Sequence, residues 1–302
     1  MNRMKLAGIF APIPTPFDED DRVDTARLTK AFARWIERPI TGFIVLGSNG
    51  EAVLMDDFEA DRAIVAAREV VPRGRPFIVG TGRESTQAAI RACRRAAEHG
   101  ADAVLVRTPG FFKSQMTTDV FVRHYTAVAD ASPVPVLLYN FTALTGVNLL
   151  PAAVWQLAVH PNIIGMKESG GDVAQIADLV SGSPADFQVL AGTTSTFYAA
   201  LCVGAKGGIL APANIVPEAC LRLFELTRDG KHADAVQLQR QLMPLARLLG
   251  AHGVPGLKAA LNIIGYDVGF PRPPLVPVND AVVTQLRDVL AAFEKVPAAT
   301  TG

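Results

Sequence analysis

The strongest candidate for a nucleophile in this sequence is a lysine that directly follows an apolar run. Lys167 comes after Ile163–Met166, inside the stretch NIIGMKESGGD. An amine held in apolar surroundings has a depressed pKa, because desolvation disfavours its charged form. The free amine can then attack a carbonyl carbon and form a Schiff base, which acts as an electron sink for the neighbouring bonds. The alternative interpretation is a surface lysine whose ammonium group points into solvent.

Two further polar features could assist such an amine. The GSNGE loop (residues 47–51) has glycines on both sides of Ser48 and Asn49. Inward-pointing backbone N–H groups, together with a hydroxyl and an amide, would suit a carboxylate, and an ordinary turn is the alternative. Tyr139 ends another apolar run. Its phenol could transfer protons beside a cation or a hydroxyl, whereas a core position would leave it only a packing role.

No sequence pattern indicates a cofactor or a metal. The phosphate-binding pattern GxxxxGK[ST] and the dinucleotide-binding pattern GxGxxG are both missing. The five histidines are scattered, and the three cysteines, Cys93, Cys202 and Cys220, lack the spacing of a zinc site. We therefore expect no cofactor, no metal, and a reducing compartment, the cytoplasm.

The composition argues against several classes of partner. The chain of 302 residues carries 29 basic and 29 acidic residues, so nucleic acid and anionic membranes are not expected partners. No stretch approaches the roughly 18 uninterrupted apolar residues that a membrane span needs. The hydrophobic content of 49% is ample for one large core.

Eight short apolar runs predict eight buried strands. They are Gly8–Ala11, Phe43–Leu46, Phe77–Val79, Ala103–Val106, Val134–Tyr139, Ile163–Met166, Phe187–Leu190 and Gly208–Leu210. Most are apolar on both faces, which is typical of parallel strands covered by helices. The segments between them have helical patterns, and Ser85, Pro151 and Asp172 stand where helices would begin.

This alternation favours a (β/α)8 barrel, with a doubly wound sheet as the rival. In a barrel, catalytic groups lie at the carboxyl ends of the strands, so Lys167, Tyr139 and the GSNGE loop would meet at one rim. We predict that the barrel domain covers residues 1–225 and that a helical region covers residues 226–302. The helices expected in that region are Lys231–Leu249, Val254–Ile264 and Asp280–Lys295.

Several motifs together carry a resemblance to a known family. In chain order they are APIPTPF near the start, GSNGE, TPGFF, LLYN followed by TG, and GMKESGGD. The combination resembles the dihydrodipicolinate synthase / N-acetylneuraminate lyase family over about Leu6 to Pro274. The resemblance implies a (β/α)8 TIM barrel with a C-terminal helical appendage and a homotetramer or homodimer. It also implies class I chemistry, in which pyruvate or another 2-oxo acid forms an imine.

The resemblance also implies roles for individual residues. Lys167 would form the Schiff base, and the Tyr139 phenol would shuttle protons with the help of the Ser48 hydroxyl. The substrate would be held by side chains of the GSNGE loop and by backbone groups of two later strands, at Ser48, Asn49, Gly192 and Ile209.

Two positions depart from the family pattern. Dihydrodipicolinate synthases usually have an arginine, which binds the carboxylate of aspartate semialdehyde, where YNFTALTG has Leu144. The family's second tyrosine is matched by Phe111, so one hydroxyl of the usual relay is missing. The combination of GSNGE, HPNIIGMKESGGD and FQVLAG is most similar to 4-hydroxy-2-oxoglutarate aldolases. The leucine in YNFTALTG also matches the YNIPALSG pattern of N-acetylneuraminate lyases, which the motif therefore resembles.

We therefore predict a retro-aldol lyase that converts a 4-hydroxy-2-oxo acid into pyruvate and an aldehyde, which is glyoxylate if the strongest similarity holds. A dihydrodipicolinate synthase and an N-acetylneuraminate or other sugar-acid lyase are alternatives. A further alternative is a protein that binds 2-oxo acids without catalysing a reaction, because Phe111 lacks the hydroxyl that this position contributes to the family's proton relay. Polar candidates for contact with the distal end of the substrate are Thr142, Thr145, Ser169 and Asn214.

Overall fold

Eight strands and the helices between them make up residues 4–294, which the computed structural model describes. The strands are β1 (Gly8–Pro12), β2 (Gly42–Val45), β3 (Phe77–Gly80), β4 (Ala103–Arg107), β5 (Val136–Asn140), β6 (Ile163–Glu168), β7 (Gln188–Ala191) and β8 (Gly207–Ile209). The helices are α1 (Thr25–Trp35), α2 (Asp57–Val70), α3 (Thr86–Glu98), α4 (Thr118–Ala131), α5 (Thr142–Thr145), α6 (Pro151–Ala158), α7 (Val173–Gly182), α8 (Phe197–Cys202), α9 (Pro217–Arg228), α10 (His232–Ile263) and α11 (Asp280–Glu294). Short 3₁₀ helices lie at Ala52–Leu54, Lys113–Gln115, Thr194–Thr196 and Ala211–Asn214.

The strands close into one parallel barrel in chain order, with β8 paired to β1. This confirms the predicted (β/α)8 barrel over the doubly wound sheet. β5 begins after Pro135 and not at Val134, consistent with the missing N–H of proline. β6 continues beyond Met166, because Lys167 still pairs with Tyr139 on β5 and with Leu190 on β7.

Two apolar layers explain why the strand sequences are apolar at nearly every position. Alternate side chains of each strand point to opposite faces of the sheet. On β3, Ile78 packs in the barrel interior, while Phe77 and Val79 pack in the outer layer beneath the helices. Both faces are therefore buried, and neither needs polar side chains.

The predicted helix starts are present. Ser85 accepts a hydrogen bond from the N–H of Ala88, and Asp172 accepts one from the N–H of Ala174. Pro151 is the first residue of α6, where its missing N–H removes no helical hydrogen bond. These caps satisfy N–H donors that a helix cannot satisfy itself, so each helix begins at a fixed distance from the preceding strand.

The described residues after β8 form helices and turns without another strand. The two helices predicted between Lys231 and Ile264 correspond to the two parts of α10, which are separated by a kink at Gly253, where the backbone is non-helical with φ 53° and ψ −135°. α11 begins at Asp280 as predicted, and the predicted end at Lys295 lies outside the described residues. α9 runs across position 225, and the division into two domains stays a prediction.

The three cysteines are free, and two of them are buried. Burial raises the pKa of the Cys93 thiol to about 11 and that of Cys220 to about 12. A thiol that does not ionise is a poor nucleophile, so neither residue is a candidate for covalent chemistry. No helix among residues 4–294 combines the length and the apolar character that crossing a membrane requires.

His124 on α4 should make the fold sensitive to acid. Its ring is buried, with Nδ1 2.9 Å from the Thr86 hydroxyl oxygen, and burial lowers its pKa to about 4 against the opposing charge of Glu84. The unfolded chain takes up a proton near pH 6.5 and the folded protein only near pH 4, so stability falls as the pH falls through this interval. The difference in pKa corresponds to about 3 kcal/mol.

The asparagine variant His124→Asn isolates this effect. We expect its free energy of unfolding to fall less steeply than that of the unchanged protein between pH 6.5 and pH 4. Urea unfolding at several pH values measures both curves, and the carboxylates that titrate in this range are common to both proteins. Parallel curves would contradict the assignment of the acid sensitivity to His124.

Candidate active site

Lys167 on β6 is buried inside the carboxyl end of the barrel. Only 5% of the residue is exposed. Its Nζ donates a hydrogen bond to the Tyr139 hydroxyl oxygen at 3.3 Å and lies 4.3 Å from the centroid of the same ring. Tyr139 is its paired neighbour on β5. The amine therefore lies beside a phenol in an enclosed site, and the interpretation as a solvent-exposed lysine does not hold.

Ser48 brings a second hydroxyl to the same phenol. Its Oγ is 2.8 Å from the Tyr139 hydroxyl oxygen, and either group can be the donor. Ser48, Tyr139 and Lys167 thus form one hydrogen-bonded chain, although they come from the ends of β2, β5 and β6. Such a chain can carry a proton between an amine and an oxygen atom of a bound molecule.

These groups open into a cavity of about 1300 Å³ at the carboxyl end of the barrel. Every site residue that the resemblance implies lies in its wall: Ser48, Asn49, Tyr139, Lys167, Gly192 and Ile209. The wall also includes residues of α10 and of the segment that follows it. The volume exceeds the roughly 300–1,000 Å³ of a typical ligand pocket, so two small reactants can bind together.

Gly192 keeps the space beside the amine open. A Cβ atom at this position would lie 1.8 Å from Ser169 Oγ and 2.9 Å from Lys167 Cε, so a larger residue would displace one of them. Its N–H donates to the Glu168 carbonyl oxygen at 2.7 Å, which fixes the backbone here. Ile209 is buried on β8. The substrate contacts expected of both backbones stay predictions.

The GSNGE loop uses some of its N–H groups internally. The N–H groups of Gly50 and Glu51 donate to the carbonyl oxygens of Gly47 and Ser48, each at 3.1 Å. These two groups are therefore committed, although the sequence suggested that the loop N–H groups would be free for a carboxylate. The Ser48 and Asn49 side chains are the better candidates for that contact, because both residues line the cavity.

A buried ion pair ties this loop to the C-terminal helices. The Glu51 carboxylate lies 2.7 Å from Lys258 Nζ on α10, and each side chain is 1% exposed. The same carboxylate accepts a hydrogen bond from the Arg272 N–H at 2.8 Å, and Lys258 donates to the Phe270 carbonyl oxygen at 2.8 Å. Burial lowers the pKa of Lys258, and the charge of Glu51 opposes this shift. Removal of either partner would leave a buried charge uncompensated, so the pair holds the loop that carries Ser48.

One of the two partners, Lys258, could be recognised in the sequence, although it belongs to none of the motifs that predicted the site. Lys258 is the charged residue of the helical stretch VPGLKAALNIIG, whose other residues are apolar except Asn262. A lysine among apolar residues on a helix is buried only when a carboxylate or other acceptor meets it. Its partner is far away along the chain, and the fold is needed to identify Glu51.

Glu168 organises the turn that leaves β6. Its buried carboxylate accepts hydrogen bonds from Asn140 Nδ2 at 2.8 Å, from Gln175 Nε2 at 3.1 Å, and from the Gly170 N–H. Burial raises the pKa of Glu168, and these hydrogen bonds oppose the rise. Within the described part of the chain, the neighbouring Ser169 hydroxyl is buried without a partner, and Ser169 lines the cavity. A bound molecule that accepts or donates a hydrogen bond there would offset the cost of that burial.

The other polar candidates for the distal end differ in position. Thr145 lines the cavity, whereas Thr142 and Asn214 lie outside its wall. The Asn214 amide donates to the carbonyl oxygens of Pro12 and Ala211, each at 3.0 Å, so its role is structural. In residues 4–294 no three His, Cys, Asp or Glu side chains cluster as the ligands of a metal ion.

The two positions that depart from the family pattern, Phe111 and Leu144, both place apolar side chains at the mouth of the cavity. Phe111 is 77% exposed and packs edge-on against Phe112, with ring centroids 5.0 Å apart. Leu144, on α5, is 64% exposed. Neither position supplies a hydroxyl or a guanidinium, so among residues 4–294 the hydrogen-bonded chain at the amine contains the hydroxyls of Ser48 and Tyr139 alone.

Known proteins resemble this chain along nearly its whole length. Residues 5–293 match the profile of the Dihydrodipicolinate synthetase family. The chain is 34% identical over 292 residues to a 4-hydroxy-tetrahydrodipicolinate synthase of Exiguobacterium sp., with 96% of this chain and 99% of the relative covered. It is 35% identical over 285 residues to a protein of Emericella nidulans named "Probable 4-hydroxy-2-oxoglutarate aldolase, mitochondrial", with 92% of each covered.

Solved structures show the same fold. A dihydrodipicolinate synthase from Acinetobacter baumannii, in complex with pyruvate, superposes with a TM-score of 0.91 at 30% sequence identity. The alignment covers 97% of this chain and all of the other. The two sequence relatives carry the names of different activities at nearly equal identity, so overall similarity does not select one substrate.

Proposed function

The chain belongs to the dihydrodipicolinate synthetase family, and we propose that it cleaves 4-hydroxy-2-oxoglutarate into pyruvate and glyoxylate through an imine on Lys167. Membership makes it a carbon–carbon lyase of the aldolase type. The observation that carries the proposed mechanism is the hydrogen-bonded chain from Ser48 through Tyr139 to Lys167, at the wall of a cavity that has room for both products.

The first step joins the amine to the substrate. The Lys167 nitrogen attacks the C2 carbonyl carbon, and loss of water leaves a protonated imine. Tyr139 lies 3.3 Å from the amine, so its phenol can relay one proton from the nitrogen to the former carbonyl oxygen and then give its own proton to the departing hydroxyl. Water leaves, and the products are the protonated imine and the Tyr139 phenolate. The substrate carboxylate at C1 would lie against Ser48 and Asn49, which line the same cavity.

The second step breaks the bond between C3 and C4. Tyr139 takes the proton of the C4 hydroxyl, and Ser48, at 2.8 Å, stabilises the phenolate by donating a hydrogen bond. The electron pair of the C3–C4 bond moves into the imine and gives an enamine, while C4 leaves as the aldehyde carbon of glyoxylate. Protonation of the enamine at C3 and addition of water then release pyruvate and restore the free amine.

The choice of glyoxylate rests on Leu144 and on the combination of GSNGE, HPNIIGMKESGGD and FQVLAG, which resembles 4-hydroxy-2-oxoglutarate aldolases. Leu144 lines the cavity where synthases of this family usually place an arginine for aspartate semialdehyde. Leu144 itself lacks the guanidinium that the resemblance assigns to synthases at this position. The relative from Emericella nidulans, at 35% identity, carries the name of a 4-hydroxy-2-oxoglutarate aldolase.

A synthase is the second candidate, because the relative from Exiguobacterium is named for that activity. One experiment separates the two. Purified protein is given 4-hydroxy-2-oxoglutarate, and pyruvate and glyoxylate are quantified separately as hydrazones; in parallel it is given pyruvate and aspartate semialdehyde. We expect equimolar release of the two products in the first reaction and a much lower kcat/KM in the second. Faster condensation with aspartate semialdehyde would overturn the proposal in favour of the synthase.

A further inference from the structure

The charges in the cavity wall are not balanced. Its lysine and arginine residues are Arg107, Lys113 and Lys167, and its acidic residues are Glu51 and Glu84. Arg107 lies 2.7 Å from a Glu84 oxygen and neutralises that carboxylate. The other carboxylate, Glu51, is neutralised by Lys258 from outside the wall.

Of the lysine and arginine residues in the cavity wall, Lys113 and the proposed nucleophile Lys167 are therefore left without a carboxylate partner in the part of the chain that the structure describes. Within residues 4–294 its ammonium group forms no ion pair with a carboxylate. It is exposed at the mouth, in the short 3₁₀ helix after the TPGFF motif. A lysine in this setting is a flexible point charge that can reach a ligand without rearrangement of the backbone.

The position of the Lys113 side chain depends on a glycine. It lies across Gly146, where a Cβ atom would come within 2.8 Å of both Cε and Nζ of Lys113. Gly146 has φ +69° and ends α5, the short helix that carries Leu144. The ammonium group thus lies next to the segment that has Leu144 where the resemblance places the arginine of synthases.

We propose that Lys113 selects dicarboxylic substrates by pairing with the carboxylate at the end remote from the imine. The inference deepens the proposed function and rests on it, since 4-hydroxy-2-oxoglutarate carries such a second carboxylate. A 2-oxo sugar acid of the aldonic type has only the carboxylate next to its oxo group and would gain nothing from this lysine. The contact makes Lys113 a specificity-determining residue, distinct from the groups that perform the chemistry.

Two ligands of equal chain length test this assignment without any need for turnover. 2-Oxoglutarate and 2-oxopentanoate differ only in the distal carboxylate, and each can form an imine that borohydride traps. We expect the unchanged protein to be half-saturated at a lower concentration of 2-oxoglutarate. In Lys113→Met this preference should fall about tenfold, because a charge-assisted hydrogen bond is lost. Lys113→Arg should largely retain it.

Two controls separate a binding role from a structural one. Imine trapping with pyruvate, which has no distal carboxylate, should be the same in Lys113→Met and in the unchanged protein. Lys30→Met removes an exposed lysine on α1, outside the cavity wall, and should keep the preference. Raising the ionic strength from about 0.01 M to about 0.5 M should weaken the preference in the unchanged protein and have little effect in Lys113→Met.

The outcomes distinguish this inference from the proposed function. No preference for 2-oxoglutarate in the unchanged protein, or an equal preference in Lys113→Met, would overturn the role of Lys113 while pyruvate trapping still supports the aldolase. A parallel loss of trapping with pyruvate and with both larger oxo acids in the variant would show that Lys113 supports the structure, and would also overturn its role in selection. If pyruvate is not trapped at all in the unchanged protein, the aldolase mechanism itself fails.

Discussion

Replacement of Lys167 by alanine should abolish turnover while the protein stays folded. The imine of the proposed mechanism forms on this nitrogen, which the structure places in hydrogen-bond contact with Tyr139. We expect kcat to fall by at least about 10⁴-fold, because loss of the nucleophile removes the covalent route entirely. Alanine leaves no unpaired charge in the barrel interior, so the free energy of unfolding should change little compared with the loss of activity.

The measurement combines kinetics with covalent trapping. The protein is incubated with pyruvate and reduced with borohydride, and the adduct is located by mass spectrometry of its peptides. We expect the adduct on the peptide that contains Lys167 and no adduct in Lys167→Ala, with thermal unfolding as the check on folding. Lys30→Ala is the matched control, an exposed lysine on α1 whose loss should change neither result. Turnover by a folded Lys167→Ala, or an adduct confined to another lysine, would refute the mechanism.

Tyr139→Phe should cause the second-largest loss. The ring stays in place, but the hydroxyl that joins Ser48 at 2.8 Å to Lys167 at 3.3 Å is removed. A general acid–base group contributes about 10²–10⁴-fold, and we expect kcat to fall by this factor. Reduction by borohydride after long incubation with pyruvate should still label Lys167, since the amine remains. The variant therefore separates proton transfer from imine formation.

Tyr125→Phe provides a control with the same chemical change. Tyr125 on α4 is also buried, and its hydroxyl donates to the Val106 carbonyl oxygen at 3.3 Å, away from the amine. We expect a small change in stability and an unchanged kcat. Equal losses of kcat in the two variants would mean that Tyr139 acts through packing, and full activity of Tyr139→Phe would exclude it from the proton path.

Much of the fold could be predicted from the sequence, because its signals are local. A strand covered on both faces needs an apolar side chain at nearly every position, and the eight runs have that composition. N-caps such as Ser85 and Asp172 act on N–H groups within three residues. An interruption between the predicted helices Lys231–Leu249 and Val254–Ile264 is present at Gly253, but its backbone angles were not predictable, because a glycine permits several conformations and the packing around it decides between them.

The site was only partly predictable, because some of its contacts join segments that are far apart in the sequence. Strand ends converge in a barrel, so the positions of Lys167, Tyr139 and Ser48 imply that they are close. Partners that are remote in the sequence leave no such pattern. The pairing of Glu51 with Lys258 and the position of Lys113 across Gly146 depend on how distant segments pack. The use of loop N–H groups within GSNGE depends on backbone angles that its composition does not determine.

The ion pair between Glu51 and Lys258 also sets an order of events during synthesis. A ribosome releases the GSNGE loop long before α10, and nascent chains begin to fold as they emerge. Until Lys258 emerges, the Glu51 carboxylate has no ammonium partner and the loop that presents Ser48 lacks its anchor. The growing chain therefore lacks the anchor of this loop until α10 has left the ribosome, and we expect the proposed site to be completed only then.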